Sequence, residues 1–374
     1  MKEKYLLKDE LFNQIKVEKI ANEIKEVYSS FDDKKFKRDV LKQFPSLELK
    51  ERMYHIRNML AIYLPSKYED AVIILVKALP EELDTNKYDD DFGEFIYASY
   101  ADFVCYYGCK REYLEFSLNA LKEMTKCFSV EFAIRDFINN FPEETFKMLE
   151  ECSLSLNYHQ RRLASEGLRP LLPWAKKIDI SYMKPILILD NIFYDKTRYV
   201  TRSVANHMND ISKLDASFVV DTLKRWEASK KQNSKEMEFI VNHSLRTLVK
   251  IGDENALLFL GYKKNAKIKV STLTLDKEEI CIGENLVFNF TIQSKEECSL
   301  LIDYIIHFRT KVGKRTHKVY KIKKVSLNRG ESRKIEKRHH FKANMSTRKL
   351  HAGEHRVEIQ INGLSYGFKD FLLN

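Results

Sequence analysis

The sequence predicts a mainly α fold, a HEAT-like α-α solenoid, followed by a C-terminal immunoglobulin-like β-sandwich. Two observations support this prediction. Apolar residues recur every three to four positions up to about Tyr262, and after that point they alternate with polar residues. An arginine also recurs near the start of successive amphipathic segments, as expected for stacked helical repeats.

The helical part extends from Leu11 to about Tyr262. Its prolines fall between the periodic segments or in their first turns, where proline marks helix boundaries. The helical spacing is clearest in five segments: Val17–Tyr28, Glu51–Tyr63, Tyr68–Ala78, Glu112–Lys126 and Pro142–Leu154.

The repeated arginines are Arg135, Arg162, Arg202 and Arg246. Their separations of 27, 40 and 44 residues are close to those of HEAT-type helix pairs, although irregular. Stacked helix pairs form a superhelix whose concave face suits an extended partner.

The β part follows Gly261. Leu286, Phe288, Phe290 and Ile292 alternate with polar or smaller residues, as in a strand with one buried face. Asn362-Gly363 is a strong hairpin-turn signal. About seven short strands in the last 110 or so residues are typical of an immunoglobulin-like sandwich. We therefore expect a helical domain over residues 1–264 and a β-sandwich domain over residues 265–374.

The net charge of +10 comes from the C-terminal part of the chain. The first 264 residues are balanced, whereas residues 305–350 carry 16 basic and 2 acidic side chains. A field of one sign this dense favours a polyanionic partner such as nucleic acid. The plainer alternative is a basic surface that keeps the protein in solution.

Several classes of protein lose their usual markers. No apolar run is long enough for a bilayer span, no secretory signal is visible, and the six cysteines form no framework, so we expect a cytoplasmic protein without membrane association. The nucleotide-binding motifs GxxxxGK[ST] and GxGxxG and the zinc motif HExxH are absent, and we expect no metal and no cofactor. The string Gly363-Leu-Ser-Tyr-Gly367 matches GxSxG, but no helix is predicted after it, so we interpret it as a chance match.

Three carboxylates stand out between residues 131 and 213, where a solenoid would present its concave face. Taken singly, each has a structural explanation. Glu131 could favour a helix N-terminus, Glu166 could pair with the arginine four residues earlier, and Asp210 could end a helix.

Taken together, the segments around these residues resemble the AlkC-type bacterial DNA glycosylases, alkylation-repair enzymes built on HEAT-like repeats. The specific matches are RRLASEGLRPLLPWA at 161–175 and YVTRSVANHMNDISK at 199–213; FAIRDFI at 132–138 and LELKERMYHI at 47–56 are supporting ones. The resemblance covers nearly the whole chain. Leu171 departs from it, because a second basic residue, able to contact a phosphate, is expected at this position.

The resemblance implies a monofunctional DNA glycosylase that hydrolyses the N-glycosidic bond of cationic N-alkylated bases, 3-methyladenine and 3-methylcytosine above all, generally without deep base flipping. Glu131, Glu166 and Asp210 would line the lesion site. Trp174 would be the aromatic wall against the damaged nucleotide; its alternative is a buried core anchor.

The chemistry suits these residue types. A base alkylated at a ring nitrogen leaves as a neutral molecule and needs little help from a general acid, whereas the sugar becomes cationic and is stabilised by carboxylates. We assign the water-activating base to Asp210, with Glu131 and Glu166 holding charge and orientation. Lys213 is the only lysine in the two long motifs and lacks a setting for imine formation, so an abasic site is the expected product.

The resemblance implies that the helical domain, residues 1–264, carries the catalytic site and that the basic sandwich, residues 265–374, acts as a DNA clamp. Basic residues must outweigh the carboxylates if DNA is to bind. We expect Arg162, Arg169 and Arg202 to contact the substrate. The predicted DNA-binding residues are Arg135, Arg198, Lys213, Arg309, Lys311, Lys314, Arg315 and Lys318. The repeat arginines could instead bridge neighbouring helices, and we favour this for Arg246.

The expected partner is double-stranded DNA containing alkylated bases, bound by a monomer associated with the bacterial nucleoid. The main alternative is a non-enzymatic HEAT-repeat scaffold that binds nucleic acid or protein. A catalytically inactive relative that senses damage is a third hypothesis.

Overall fold

The computed structural model describes residues 6–89, 92–343, 345 and 348–374. It contains two compact units. The first comprises Met1–Ile211 and Leu223–Ser244, and the second Ser212–Thr222 and Leu245–Asn374.

The first unit is helical, as predicted. Its helices form where apolar residues recur on one face: in α2, for example, Val17, Ile20, Ala21 and Ile24 are all buried. Up to the end of the first unit the helices are α1 (Leu7–Leu11), α2 (Gln14–Val27), α3 (Asp33–Gln43), α4 (Leu49–Tyr63), α5 (Tyr68–Lys77), α6 (Ala98–Gly108), α7 (Leu114–Met124), α8 (Ile134–Asn140), α9 (Pro142–Ser153), α10 (Tyr158–Glu166), α11 (Ile186–Ile192), α12 (Arg198–Ile211), α13 (Ala216–Ser229) and α14 (Ser234–Ser244), with α13 shared between the units.

The helices of the first unit contact mainly their near neighbours along the chain. Helix α10 packs against α9, α11 and α12, and α12 packs in turn against α14. Contacts between elements that are one or two apart in sequence are typical of helical repeats. This arrangement brings the segments around Glu131, α10 and α12 side by side.

The second unit contains two sheets. One has the order β1-β4-β2, with β7 also pairing to β4, and the other has the order β3-β9-β8-β5-β6. The strands are β1 (Ile268–Val270), β2 (Thr274–Leu275), β3 (Glu279–Ile280), β4 (Asn285–Ser294), β5 (Cys298–Arg309), β6 (Arg315–Leu327), β7 (Ser332–His340), β8 (Gly353–Ile361) and β9 (Leu364–Leu373).

Alternation in the sequence sets the core of the sandwich. Every second residue of β4 from Leu286 to Ile292 is buried. These side chains join those of β5, β7, β8 and β9 in one apolar cluster. The helical region followed by this sandwich confirms the predicted fold class.

The predicted hairpin turn joins β8 to β9. Asn362 and Gly363 have φ values of +46° and +79°, the left-handed conformation that a two-residue turn of this kind requires. The Asn362 side chain also accepts a hydrogen bond from the Leu301 amide and donates one to the Lys263 carbonyl, both at 2.7 Å. Ser365 of the GxSxG string lies within β9 and pairs with Gln360, so no strand-to-helix turn presents its hydroxyl.

The change from helices to strands lies between Phe259 and Ile268, where residue 264 also falls. The compact units divide earlier. Helices α15 (Arg246–Ile251) and α16 (Glu254–Phe259) belong to the second unit, because Leu257 and Tyr262 pack against Leu301 of β5. Local periodicity locates the change in secondary structure, whereas packing decides which unit a helix joins.

Among the residues that the structure describes, no helix has the length and apolar character to span a bilayer.

Candidate active site

Helix α10 is enclosed although most of its residues are polar. Of its nine residues only Arg161 is not buried. Gly167 ends the helix at a point of close approach, since a Cβ there would lie 2.8 Å from Ile134 of α8. Buried polar side chains require partners; Glu166 of α10 finds one on α12, and Arg162 finds partners in the segment before α8.

Helix α12 presents a polar stripe to α10. Ser203, His207 and Asp210 are spaced four and three residues apart, so they lie on one face. Ser203 Oγ donates to Glu166 Oε2 at 2.6 Å, and His207 Nδ1 lies 3.1 Å from the Ser165 carbonyl oxygen. The stripe thereby fixes α12 against the end of α10 that carries Glu166.

Three carboxylates and two arginines form a continuous chain of ion pairs, which we call the acid chain. Glu131 lies 3.1 Å from Arg162, which is 3.7 Å from Glu166. Glu166 lies 2.7 Å from Arg169, and Arg169 lies 3.0 Å from Asp210. The three predicted carboxylates thus come together, each linked to the next through one guanidinium.

Opposing effects set the charge of Glu166. Burial raises its pKa, but the Arg162 and Arg169 guanidiniums, with the Ser203 hydroxyl, outweigh burial and hold the pKa below its usual value. Burial likewise lowers the pKa of Arg169, while Glu166 and Asp210 raise it, with a net increase. The carboxylate and the arginine are therefore both ionised at neutral pH.

Arg162 has two further contacts. It donates to Ser129 Oγ at 2.6 Å, and its guanidinium lies 4.4 Å from the centre of the Tyr199 ring. Ser129 Oγ also hydrogen-bonds to Glu131 Oε2. These contacts hold Arg162 against Glu131, whose side chain is 16% exposed, compared with 7% for Glu166 and 2% for Asp210. Glu131 is the most accessible of the three acids.

Arg135 is buried and holds the backbone after α10. It donates to the carbonyl oxygens of Gly167 at 3.0 Å and Arg169 at 2.9 Å, and to that of Lys176. Burial, with Arg169 nearby, lowers its pKa to about 10. This placement favours the structural alternative for Arg135, because its donors are used on carbonyls and are not presented to a phosphate.

Trp174 lies on the segment that Arg135 holds. Its side chain is 67% exposed, so it is not the core anchor that was the alternative interpretation. Its φ of +63° is rare for a residue with a large side chain. Leu171, the departure from the family pattern, is also exposed.

Two other predicted arginines are paired outside the acid chain. Arg198 forms two hydrogen bonds to Glu236, at 2.7 and 2.6 Å, and lies 3.7 Å from the Phe239 ring centre. Arg202 pairs with Asp89. Their contacts bridge different parts of the first unit, which is what the structural alternative predicts for repeat arginines.

The remaining predicted DNA-binding residues belong to the second unit. Lys213 is exposed. Arg309, Lys311, Lys314, Arg315 and Lys318 are exposed around the β5–β6 hairpin. Of these five, Arg315 pairs with Glu354 and Lys318 lies over the Tyr320 ring, 5.3 Å from its centre.

Sequence reasoning missed Ser129, Ser203 and His207. For Ser203 and His207 the only available signal was spacing within the motif at 199–213, since Ser203 precedes His207 by four residues and His207 precedes Asp210 by three. Burial lowers the pKa of His207 to about 4, so its imidazole is neutral. In the described part of the chain, no group of three or more His, Cys, Asp and Glu side chains is placed to hold a metal ion.

The chain is similar to known proteins both in its C-terminal domain and over nearly its full length. Residues 269–374 match the family described as "Uncharacterised protein YhaZ, C-terminal Ig-like domain". The Bacillus subtilis (strain 168) protein "Uncharacterized protein YhaZ" is 33% identical over 358 residues, which are 95% of this chain and 96% of that protein.

A solved structure is similar along the full length. The Pseudomonas fluorescens alkylpurine DNA glycosylase AlkC, bound to DNA containing an abasic site analog, is 31% identical and superposes with a TM-score of 0.89, covering 99% of this chain and all of that one. This similarity confirms the resemblance that the sequence motifs indicated. The chain therefore belongs to the AlkC-type protein family, together with Bacillus subtilis YhaZ and Pseudomonas fluorescens AlkC.

Proposed function

We propose that this protein is a monofunctional DNA glycosylase that removes cationic N-alkylated bases, such as 3-methyladenine and 3-methylcytosine, from double-stranded DNA. The observation that carries the proposal is the acid chain, which gathers Glu131, Glu166 and Asp210 from separate segments. The full-length similarity to AlkC, whose structure holds DNA with an abasic site analog, supports the same class of reaction.

The acid chain suits a reaction in which the sugar becomes positively charged. Glu166 is ionised, and Arg162 and Arg169 fix its position before any substrate binds. Such preorganised charge stabilises an oxocarbenium-like sugar without further rearrangement. A base methylated at a ring nitrogen leaves as a neutral molecule, so none of the carboxylates has to act as a general acid.

The attacking water requires a carboxylate that it can reach. Asp210, assigned as the base from the sequence, is nearly enclosed and bonded to Arg169, whereas Glu131 is the most accessible. We retain the three carboxylates as the set that orients and deprotonates water. The order of effects of Asp210→Asn and Glu131→Gln identifies the residue that takes the proton.

A covalent imine is not part of the proposal. Lys176, beside Trp174, donates to Asp136 at 2.7 Å, and this hydrogen bond raises its pKa, so the amine stays protonated. Lys213 is solvent-exposed, without the desolvation that an imine-forming lysine requires. The expected product is an intact strand containing an abasic site.

The basic β5–β6 hairpin supplies positive charge that can pair with the phosphates of the DNA backbone. Arg309, Lys311 and Lys314 form no ion pair with a described residue, so they remain available to phosphates. We propose that a monomer binds DNA through these residues, in the nucleoid of a bacterial cell.

The test is release of methylated bases from duplex DNA containing 3-methyladenine or 3-methylcytosine. We expect release by the unmodified protein and a loss of at least about 100-fold in Asp210→Asn or Glu131→Gln, with DNA binding kept. Asp195→Asn is the matched control, because Asp195 is also buried and paired with an arginine, Arg161, but lies outside the acid chain.

Two results would contradict the proposal. Absence of release by the unmodified protein, with DNA bound, would favour the scaffold hypothesis. Equal release of methylated and unmodified bases would contradict the argument from a charged leaving group.

A further inference from the structure

The connection between α5 and α6 contacts the first turn of α12. The Tyr88 carbonyl accepts a hydrogen bond from the Tyr199 amide at 3.2 Å, and the Tyr88 hydroxyl donates to Glu236 of α14 at 3.1 Å. The ring of Phe92 packs edge-on against the Tyr199 ring, with the two ring centres 5.3 Å apart. We call residues 84–89 and Phe92 the strap. Backbone and aromatic contacts thus hold the strap against α12.

Arg198 and Arg202 of α12 both contact the strap, but their ion pairs differ. Arg198 donates two hydrogen bonds to Glu236, whose side chain is 6% exposed, and the Thr201 hydroxyl donates to the same carboxylate. Burial raises the pKa of Glu236, but these hydrogen bonds outweigh burial and hold the pKa below its usual value. The pair of Arg198 with this enclosed carboxylate is therefore part of the packing between α12 and α14.

The ion pair between Arg202 and Asp89 of the strap is more open to solvent. The two side chains are 32% and 25% exposed, so water solvates both charges and salt screens their attraction. Exposed pairs of this kind are weak, because the attraction is small and two side chains lose freedom when they pair. A phosphate offers an arginine the same bidentate geometry as a carboxylate. Arg202 can therefore exchange Asp89 for a phosphate at little cost.

Arg202 also lies beside the acid chain. The next residue, Ser203, donates to Glu166 at 2.6 Å. The ring of Tyr199, three residues before Arg202, lies 4.4 Å from the Arg162 guanidinium. Residues 199–203 span little more than one helical turn. A phosphate held by Arg202 would therefore belong to a DNA strand that passes the acid chain.

We propose that Asp89 occupies a phosphate site on Arg202 in the free protein, and that a backbone phosphate of duplex DNA displaces it. Arg202 then changes its partner from the strap to the DNA, whereas Arg198 stays with Glu236. The strap thereby competes with every duplex for one of the arginines beside the acid chain. This inference rests on the proposed function for the identity of the partner as duplex DNA, but it requires no base release.

The salt dependence of DNA binding tests the exchange. The full-length protein is titrated into a labelled, undamaged duplex at several salt concentrations, and binding is followed by fluorescence anisotropy. In the unmodified protein the phosphate releases a cation while the displaced Asp89 takes one up, so Arg202 should add almost nothing to the slope of log affinity against log salt. Asp89→Asn leaves no anion to take up the cation, and the slope should steepen by about 0.9. Affinity should rise by about twofold to fivefold, because an exposed ion pair no longer has to be broken.

A double-mutant cycle assigns the effect to Arg202. On the background of Arg202→Gln, Asp89→Asn should no longer steepen the slope, because it has no arginine to free. Asp89→Glu keeps the charge and should keep the slope of the unmodified protein.

Asp190→Asn is the matched control for the change in net charge. Asp190 is 29% exposed and pairs with an arginine of α13, Arg225, at 2.9 Å, so the variant removes the same charge from a similar ion pair. Neither residue contacts the strap or the acid chain in the ion pairs described above. The control should leave the slope unchanged.

An unchanged slope in Asp89→Asn overturns the inference. The same steepening on the Arg202→Gln background, or in Asp190→Asn, overturns it as well, because the effect then comes from net charge and not from a freed Arg202. Absence of duplex binding by both the unmodified protein and Asp89→Asn overturns it too.

Release of methylated bases, measured on the same proteins, keeps the two proposals apart. Release with equal slopes removes only the exchange at Arg202. A steeper slope in Asp89→Asn without release by any of the proteins removes the glycosylase proposal and leaves the exchange.

Discussion

Arg169→Met should destabilise the first unit in a manner that depends on pH. Arg169 contacts two acids, Glu166 at 2.7 Å and Asp210 at 3.0 Å, and both are buried. Methionine keeps much of the side-chain volume but removes the charge. The variant therefore tests whether this arginine is what keeps the buried Glu166 carboxylate ionised.

The magnitude follows from the burial of the pair. Removing one partner of a buried ion pair typically costs about 3–5 kcal/mol, because the other charge is left without compensation. For a unit of this size a loss of 1 kcal/mol lowers the melting temperature by roughly 2–4 °C, so a decrease of roughly 6–20 °C is expected at neutral pH.

The sign of the pH dependence follows from the pKa of Glu166, which lies below its usual value of 4.5 in the unmodified protein. A lowered pKa contributes stability above the unfolded value, and that stability is lost as the pH falls through the folded value. Without Arg169, only Arg162 and Ser203 oppose burial, so the pKa of Glu166 should rise and ionisation should cost the variant stability relative to the unmodified protein. Acid pH relieves this penalty by protonating the carboxyl, and the difference between the two proteins should narrow from pH 8 towards pH 5.

The assay is thermal unfolding followed by circular dichroism at pH 8 and pH 5. Arg225→Met is the matched control, because Arg225 pairs with Asp190 at 2.9 Å but is 55% exposed, and such pairs contribute about 0–1 kcal/mol. An equal loss at both pH values would refute the electrostatic reasoning and reduce Arg169 to a packing role. A loss no larger than that of the control would refute it as well.

Three further predictions concern the second unit. Burial raises the pKa of Asp303 from 3.8 to about 6, so its ionised form destabilises the folded state at pH values above about 6. Asp303→Asn should therefore raise the free energy of unfolding by about 3 kcal/mol at pH 8 and leave it unchanged at pH 4. An equal effect at both pH values would contradict this prediction. Asn362→Ala should lower the free energy of unfolding, measured in urea, by about 2–4 kcal/mol, because it removes two hydrogen bonds and places alanine at positive φ. An unchanged unfolding midpoint would show that the turn tolerates both changes. If the protein binds DNA as proposed, Lys311→Gln and Lys314→Gln should each lower the slope of log affinity against log salt by about 0.9. Lys277→Gln, at an exposed position between β2 and β3, should leave the slope unchanged. Equal slopes in all three variants would remove the hairpin from the interface.

Much of the fold was predictable because it depends on local spacing. The alternation at Leu286–Ile292 and the Asn362-Gly363 turn each require only neighbouring residues and lie where the sequence indicates. The assignment of α15 and α16 to the second unit was not predictable, because it depends on contacts with Leu301, distant in sequence.

The candidate site was predictable in its acids and less so in its arginines. Glu131, Glu166 and Asp210 were identified together, and the acid chain unites them. Arginines with the same place in the repeat pattern diverge: Arg162 joins the acid chain, while Arg135 holds backbone carbonyls. Periodicity indicates the face of a helix that carries a side chain but not the group that the side chain meets there.

The order of residues along the chain determined on its own that helices precede strands, that positive charge gathers in the sandwich, and that three acids lie in or directly beside motifs of one family. All of these features depend on residue type and on the spacing between residues that are close together in sequence. Tertiary structure alone decided that Trp174 is exposed, that two arginines alternate with the acids, and that Asp89 of the strap pairs with Arg202. The physical reason is that ion pairing and burial depend on distances between segments that lie tens of residues apart, and only the packing of the helices sets those distances.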